Sequence, residues 1–186
     1  MRAFSLPEAQ AAIDGASSPQ DACVTIEPLF AELLADSGWL PDEYQAAAPE
    51  SGMGGGIGQW LLYRADDGSL SLLSLVVPPG SETPIHDHLA WGLVGLYRGT
   101  QDEEILCAAR RGARTRRAAI ARAGRLLRPD PAARRHPPRA DPSAETSVSI
   151  HLLTNDTGSV CRHAWDTASD QARPSRSGYV NVACDD

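Results

Sequence analysis

The sequence has no lysine, and among its 186 residues it has only four cysteines, two phenylalanines and two methionines. Cys23, Cys107, Cys161 and Cys184 are scattered without the close pairing of a zinc knuckle, which fits reduced thiols better than a disulfide frame. No apolar run approaches the roughly 18 residues that cross a bilayer. Met1 to Ile13 carries acidic and polar residues where a secretory leader would be basic and apolar. These absences lead us to expect a cytoplasmic protein that touches no membrane. The glycine-rich stretch Ser51 to Gly58 lacks the Lys-Ser/Thr of a phosphate-binding loop and the spacing of a dinucleotide fingerprint, so it reads as a connection.

What is present divides into two compositions. All 17 basic residues are arginine, and eleven of them lie between Ile105 and Ala140 against the single acid Asp130. That stretch therefore carries about +10 within a net charge of -7, leaving about -17 for the remainder. Length and an apolar content of 42% allow one domain with one sizeable core.

The first 50 residues read as helical: Pro19-Gln20-Asp21 starts a helix, and Ile26, Leu29, Phe30, Leu33 and Leu34 recur at three- and four-residue spacing. From Gln59 the texture changes to short β-rich runs broken by turns, at Trp60 to Tyr63, Leu70 to Val77, Ile85 to Tyr97, Ser147 to Leu153 and Val160 to Asp166. Asp66-Asp67-Gly68 and Pro78-Pro79-Gly80 supply turns between them. The expected architecture is a mainly β barrel or jelly roll over 59–166 with helices confined to the front.

Within it, Pro84-Ile85-His86-Asp87-His88 places two imidazoles two residues apart. On a strand such residues face the same way, with Asp87 opposite, so His86 and His88 make two legs of a metal site if they point inward. A third ligand from another strand would leave positions open for substrate and oxygen. Histidine suits iron, zinc, nickel and manganese alike, and the pair alone does not choose among them.

The segment PIHDHLAWGLVGLYRG, Pro84 to Gly99, resembles the first signature of the cupins, especially the cysteine dioxygenase type. General cupins carry a glutamate a few residues after the histidine pair; here Gly92 stands in that region, as in thiol dioxygenases. The second block, SVSIHLLTNDTGSVCRHAWD, Ser147 to Asp166, resembles the strand on which that family carries a Ser-x-His-x-Tyr relay. Ser149 and His151 match it, and Leu153 stands at the tyrosine. The resemblance implies a double-stranded β-helix holding Fe(II) on His86, His88 and a third histidine. Ser149 and His151 would be beside it, and a small thiol would react with dioxygen to give a sulfinate. The early-strand arginine that holds cysteine's carboxylate in the animal enzymes falls at Leu61 or Leu62, which favours a related thiol acid or another small thiol. Arg98 and Arg162 are the carboxylate partners we consider; Arg64, in a turn, is expected in solvent. A binding cupin without chemistry, or a cupin enzyme acting on a non-thiol, are the alternatives.

The third ligand should precede the His151 strand, and the only histidine there is His136, within Arg134-Arg135-His136-Pro137-Pro138-Arg139. Two prolines and three arginines make a poor inner strand. From Ala108 to Pro142, alanine, arginine, glycine and proline make up 28 of 35 residues, a composition that builds no core. Three readings compete: a basic loop for an anionic partner, a disordered insertion, or a run read out of frame in a GC-rich gene. The third is favoured. Arg135 to Pro142 can be encoded by CGA CAT CCA CCG CGT GCG GAC CCN, and one nucleotide later the same bases read Asp-Ile-His-Arg-Val-Arg-Thr, which resembles the family's third-ligand strand. A nucleic-acid partner is not expected, because the arginines lack interleaved aromatics and the rest of the chain is acidic.

Overall fold

A computed structural model describes residues 5–51, 53–107, 114–120, 126–127, 134–139, 145–166, 169 and 171–184, with the backbone alone for 102–107, 114–120, 126–127 and 134–139. Two helices lead the chain, α1 (Leu6–Asp14) and α2 (Pro19–Ala35). Ser18 caps α2 by accepting a hydrogen bond from the Asp21 backbone N–H, with Pro19 in the first turn where no intrahelical donor is needed. The face predicted from spacing is the one that packs: Ile26, Phe30 and Leu34 are at most 2% exposed and share one core with Leu72, Val76, Leu93, Ile150 and Leu152, α2 lying against the strand Gly92–Arg98. Each such side chain contributes about 1.5–3 kcal/mol by leaving water.

Eleven strands follow: β1 (Gly58–Arg64), β2 (Ser71–Val77), β3 (Ile85–His86), β4 (Gly92–Arg98), β5 (Gln101–Cys107), β6 (Arg114–Ile120), β7 (Leu126–Leu127), β8 (Arg134–Arg139), β9 (Ser147–Leu153), β10 (Arg162–Trp165) and β11 (Ala172–Ser175). They form two antiparallel sheets, β1-β2-β9-β4-β7 and β11-β10-β3-β8-β5-β6. Without the flanking β1, β10 and β11, each sheet has four strands, and every step along the chain from β2 to β9 crosses to the other sheet except the β5–β6 hairpin. That winding is the double-stranded β-helix, or jelly roll, expected from the sequence.

All seven residues of β2 and of β9 are buried, because both faces of this central pair are covered. Alternate residues Leu72, Val76, Ile150 and Leu152 join the core that α2 helps to form, while Leu73, Leu75, Ser149, His151 and Leu153 face the interior. The turn into β3 has Ser81 N–H donating to Pro78 O with Gly80 at φ +77°, a left-handed position that suits glycine two residues after Pro78.

The arginine-rich stretch corrects one expectation. The sequence argued against a strand at 134–139, yet the backbone there is β8, and β6 and β7 also come from this stretch, supplying the roll's fifth, sixth and seventh central strands. The two prolines are accommodated by an irregularity: β8 pairs Arg139 with Asp102 and His136 with Glu104, so Pro137 and Pro138 together oppose the single residue Glu103. The remainder of 108–142, where the loop and frame readings chiefly fall, lies outside the described residues.

β1 is a sheet edge, and the segment after β11 covers it. Val180 N–H donates to Gln59 O, while the Asn181 side chain accepts from Leu61 N–H and donates to Leu61 O, copying a strand partner. Tyr179 anchors the same segment, donating to Asp156 and accepting from Gly158 N–H; Arg64 completes the cluster with an ion pair to Asp156 at 2.9 Å. Burial works against the Asp156 charge, but hydrogen bonds from Tyr179 and Arg64 outweigh it and hold its pKa below the ordinary 3.8. Tyr179 is pushed well above 10.0, first by burial and then by donating to Asp156. Asp156 thus contributes stability that is complete above its unfolded pKa and lost as pH falls through the lower folded value. Tyr179 contributes stability that is complete below its unfolded pKa and lost as pH rises through the higher folded value. We expect Tyr179→Phe to cost about 1–2 kcal/mol in urea melts near neutrality. It should also weaken the loss of stability above roughly pH 10; an alkaline limb identical to the wild type would show that Tyr179 does not carry it.

Candidate metal centre

The histidine pair sits where β3 ends. Only Ile85 and His86 are paired as strand, so His88 lies just past it rather than on it, which corrects the expectation of one continuous strand. Asp87 makes the break: its carboxylate turns away and accepts from His163 N–H at 3.0 Å and His163 Nδ1 at 2.8 Å, on neighbouring β10. The Asp87 N–H donates back to His163 O. The chain then turns at Leu89, which adopts φ 49°, a costly conformation for a branched side chain and the only positive φ outside glycine among the described residues. Asp87 therefore faces opposite to the histidines, as the alternation predicts, and clamps their arm to the sheet.

The two rings stack with centroids 5.0 Å apart and their Nε2 atoms 3.0 Å apart. Two imidazoles bound about 2.1 Å from one ion at right angles have their nitrogens about 3.0 Å apart, so the pair already has the bite of adjacent metal ligands. His86 Nδ1 lies 2.7 Å from Pro84 O, to which only a protonated nitrogen can donate. That contact assigns the proton to Nδ1 and leaves the Nε2 lone pair toward His88, the arrangement a metal-binding histidine needs. The residues present therefore fit a metal ion on two nitrogens.

His151 reaches the same space from β9 across the barrel. Its ring centroid is 6.3 Å from that of His88, and its Nε2 is 2.9 Å from Ser149 Oγ, two residues back on the same face. Both are buried. Leu153 continues that face as an apolar wall with Leu73 and Leu75. Between the sheets lies a small cavity of about 70 Å³, lined by His151, Leu73, Leu75 and Leu153, by His86 and His88, and by Arg162.

Arg162 is 7% exposed on β10. Its Nη1 donates to Asp87 O at 2.9 Å and its Nη2 to Ser177 Oγ at 2.7 Å. Burial lowers its pKa, opposed by the charge of Asp87, yet a guanidinium this basic stays protonated. No aspartate or glutamate is among the described residues lining the cavity, whereas Arg162 and, nearer the surface, Arg176 both do. The described lining thus joins buried and surface guanidinium groups to apolar side chains, a combination that can receive a small anion.

Arg98 is not brought here. It is exposed at the end of β4 and donates to Gln45 Oε1, so its place as a carboxylate partner is corrected by the fold. Arg64 is half-buried in its ion pair with Asp156 rather than free in solvent, and it borders a different surface hollow. The backbone of β8 runs beside β3 with Arg135 opposite His86, putting His136 one residue from that pairing; its side chain is outside the described set. Among the described residues no three His, Cys, Asp or Glu side chains cluster as a metal site. Sequence reasoning missed Gln59, Thr83, Met53 and Ser177, which also line the cavity. Of these only Met53 had a signal, its place in the glycine-rich stretch.

The strand order is that of a double-stranded β-helix, with a histidine pair lining the cavity between its sheets. No family model matches the chain. Among solved structures it is similar to an oxalate oxidase in complex with the substrate analogue glycolate, at 14% identity and a TM-score of 0.49 over 65% of this chain and 61% of that one. It is also similar to a cupin-2 domain from Rhodospirillum rubrum, at 12% identity and 0.44 over 74% and 71%. A third is an RmlC-like cupin protein from Ralstonia eutropha, at 15% and 0.44 over 70% and 72%. The chain spans about three fifths of the oxalate oxidase it matches. Likeness at this level is one of fold and says nothing of reaction. No helix among the described residues is long and apolar enough to cross a membrane.

Proposed function

We propose that this chain is an Fe(II)-dependent dioxygenase that oxidises a small thiol carrying a carboxylate to its sulfinate. The observation that carries the reading is the pair of Nε2 atoms 3.0 Å apart in a cavity that also holds a buried arginine and no described acid. His86 and His88 would hold the metal, which when bound supplies a site where thiolate and dioxygen can react side by side. The balance is simple: the S–H and O–O bonds break, two S–O bonds form, sulfur loses four electrons to dioxygen, and the thiol proton leaves with the sulfinic acid.

The chain's own residues do the rest. Arg162 offers its remaining N–H groups to the carboxylate, fixing which end of the molecule reaches the histidines. Leu73, Leu75 and Leu153 cover the carbon chain and exclude water. Ser149 and His151 form a short hydrogen-bonded relay able to hold a proton beside the sulfur. Arg162 supplies a partner for a carboxylate, which is why a mercapto acid is the substrate class proposed.

The third ligand would come from β8. Arg135 pairs with His86, which puts residues 136 and 137 next along β8 from the histidine arm. Reading the coding bases one nucleotide later moves the histidine from 136 to 137. Sequencing the coding DNA between the codons for Gln101 and Val148 is expected to show two compensating frame errors; an intact frame would leave His136 as the candidate.

The reaction itself is tested by anaerobic Fe(II) loading followed by oxygen uptake with a panel of thiols. We expect uptake with mercapto acids matched by sulfinate formation. Uptake that no thiol stimulates would favour a non-thiol substrate, and iron content near zero would favour a binding cupin without chemistry.

A further inference from the structure

One hydroxyl outside the barrel strands ties together the polar groups of the cavity floor. Ser177, in the segment after β11, accepts from Arg162 Nη2 at 2.7 Å and from Gln59 Nε2 at 3.1 Å, and lies 3.4 Å from Thr157 O, to which it donates. A serine hydroxyl has two lone pairs and one proton, and here all three are engaged. Gln59 is also tied to Gly178 O at 2.9 Å, so the same segment holds it twice. Arg162 has no carboxylate partner in any ion pair among the described residues, and apart from Ser177 its described hydrogen bond is to the Asp87 carbonyl.

Long guanidinium side chains have many rotamers, and an arginine without an ion pair keeps one orientation only if neutral acceptors hold it. Asp87 O holds one arm from the histidine side and Ser177 Oγ the other from the tail side. The segment carrying Ser177 is itself fixed, by Gly178 N–H donating to Gly158 O and by Asn181 on the edge of β1.

We propose that Ser177 is a positioning residue that aims Arg162 into the cavity, making the segment after β11 part of the binding site and selecting for a ligand with an anionic group. The inference rests on the reading of Arg162 as the carboxylate anchor. It goes further in assigning selectivity for the anionic group to a residue far from the histidine arm in sequence.

The test compares two thiols of similar size, thioglycolate with a carboxylate and ethanethiol without one, by anaerobic titration calorimetry on the Fe(II)-loaded full chain. Ser177→Ala is expected to raise the Kd for thioglycolate about tenfold and to leave that for ethanethiol within about twofold. Ser177→Thr, which keeps the hydroxyl, should restore thioglycolate binding. Arg162→Met should show the same preference for the carboxylate-free thiol more strongly. If Arg162→Met discriminates but Ser177→Ala weakens both thiols alike or neither, the Ser177 proposal is wrong and the anchor stands. If Arg162→Met does not discriminate, the anchor reading itself fails.

Discussion

Replacing His86 or His88 by alanine is expected to lower iron affinity by more than about a hundredfold, so that dialysed protein retains essentially no iron, while Ser149→Ala retains it. The contrast follows from position. The two Nε2 atoms stand at ligand spacing and His86 is already oriented by Pro84 O. Ser149 Oγ lies 2.9 Å from His151 Nε2 and is not among the described side chains that line the cavity. Loss of a group that orients a ligand or substrate typically costs about 10–100-fold, and loss of a ligand costs more. Ser149→Ala should therefore lower thiol-dependent oxygen uptake about 10–100-fold at unchanged iron content. Metal analysis after anaerobic loading and dialysis, beside oxygen-electrode rates, reads both quantities. Equal iron retention in His86→Ala and wild type would remove the metal centre from this pair.

Gly92→Ala is expected to be the most damaging single methyl in the described part of the molecule. A Cβ at Gly92 would stand 1.9 Å from Leu152 O and 2.9 Å from Leu152 C, both backbone atoms of the central strand β9. Neither can yield without shifting the strand that carries Ser149, His151 and Leu153. Overpacking of a well-filled core costs about 1–3 kcal/mol, and a collision with backbone exceeds that range, so we expect a loss above about 3 kcal/mol or no folded protein. Gly54→Ala is the control, since nothing lies within 4 Å of its Cβ and only its φ of +74° opposes the change. That should cost about 1–2 kcal/mol. Thermal or urea melts of the two variants decide it; similar midpoints would mean β4 and β9 can part more easily than their register suggests.

Much of the site was legible from the chain alone because it is local. The histidine pair, the opposed Asp87, and the Ser149–His151 spacing on one face of a strand all depend on a two-residue period. That period survived even where β3 proved to be only two residues long. The α2 face was legible for the same reason at a period of three to four. The partner of Asp87 was not, since His163 lies 76 residues away and only the pairing of β3 with β10 brings it close. Arg98 and Arg162 looked equivalent in sequence. One ends β4 at the surface beside Gln45, and the other is buried next to the histidine arm.

The stretch 108–142 shows the limit from the other side. Its composition argued against strands, because propensity weighs what a residue prefers when its neighbours are unknown. In the barrel, β5 offers β8 a ladder with an irregularity that absorbs Pro137 and Pro138, and closure of the roll then supplies neighbours on both sides. By itself the sequence determined the front helices, the β-rich body and the two-residue spacings His86–His88 and Ser149–His151, since each is written in short periods along one segment. Only the tertiary structure decided which arginine faces the cavity, that no described acid joins it, and that Ser177 near the end of the chain completes the floor, because those facts depend on which distant strands become neighbours.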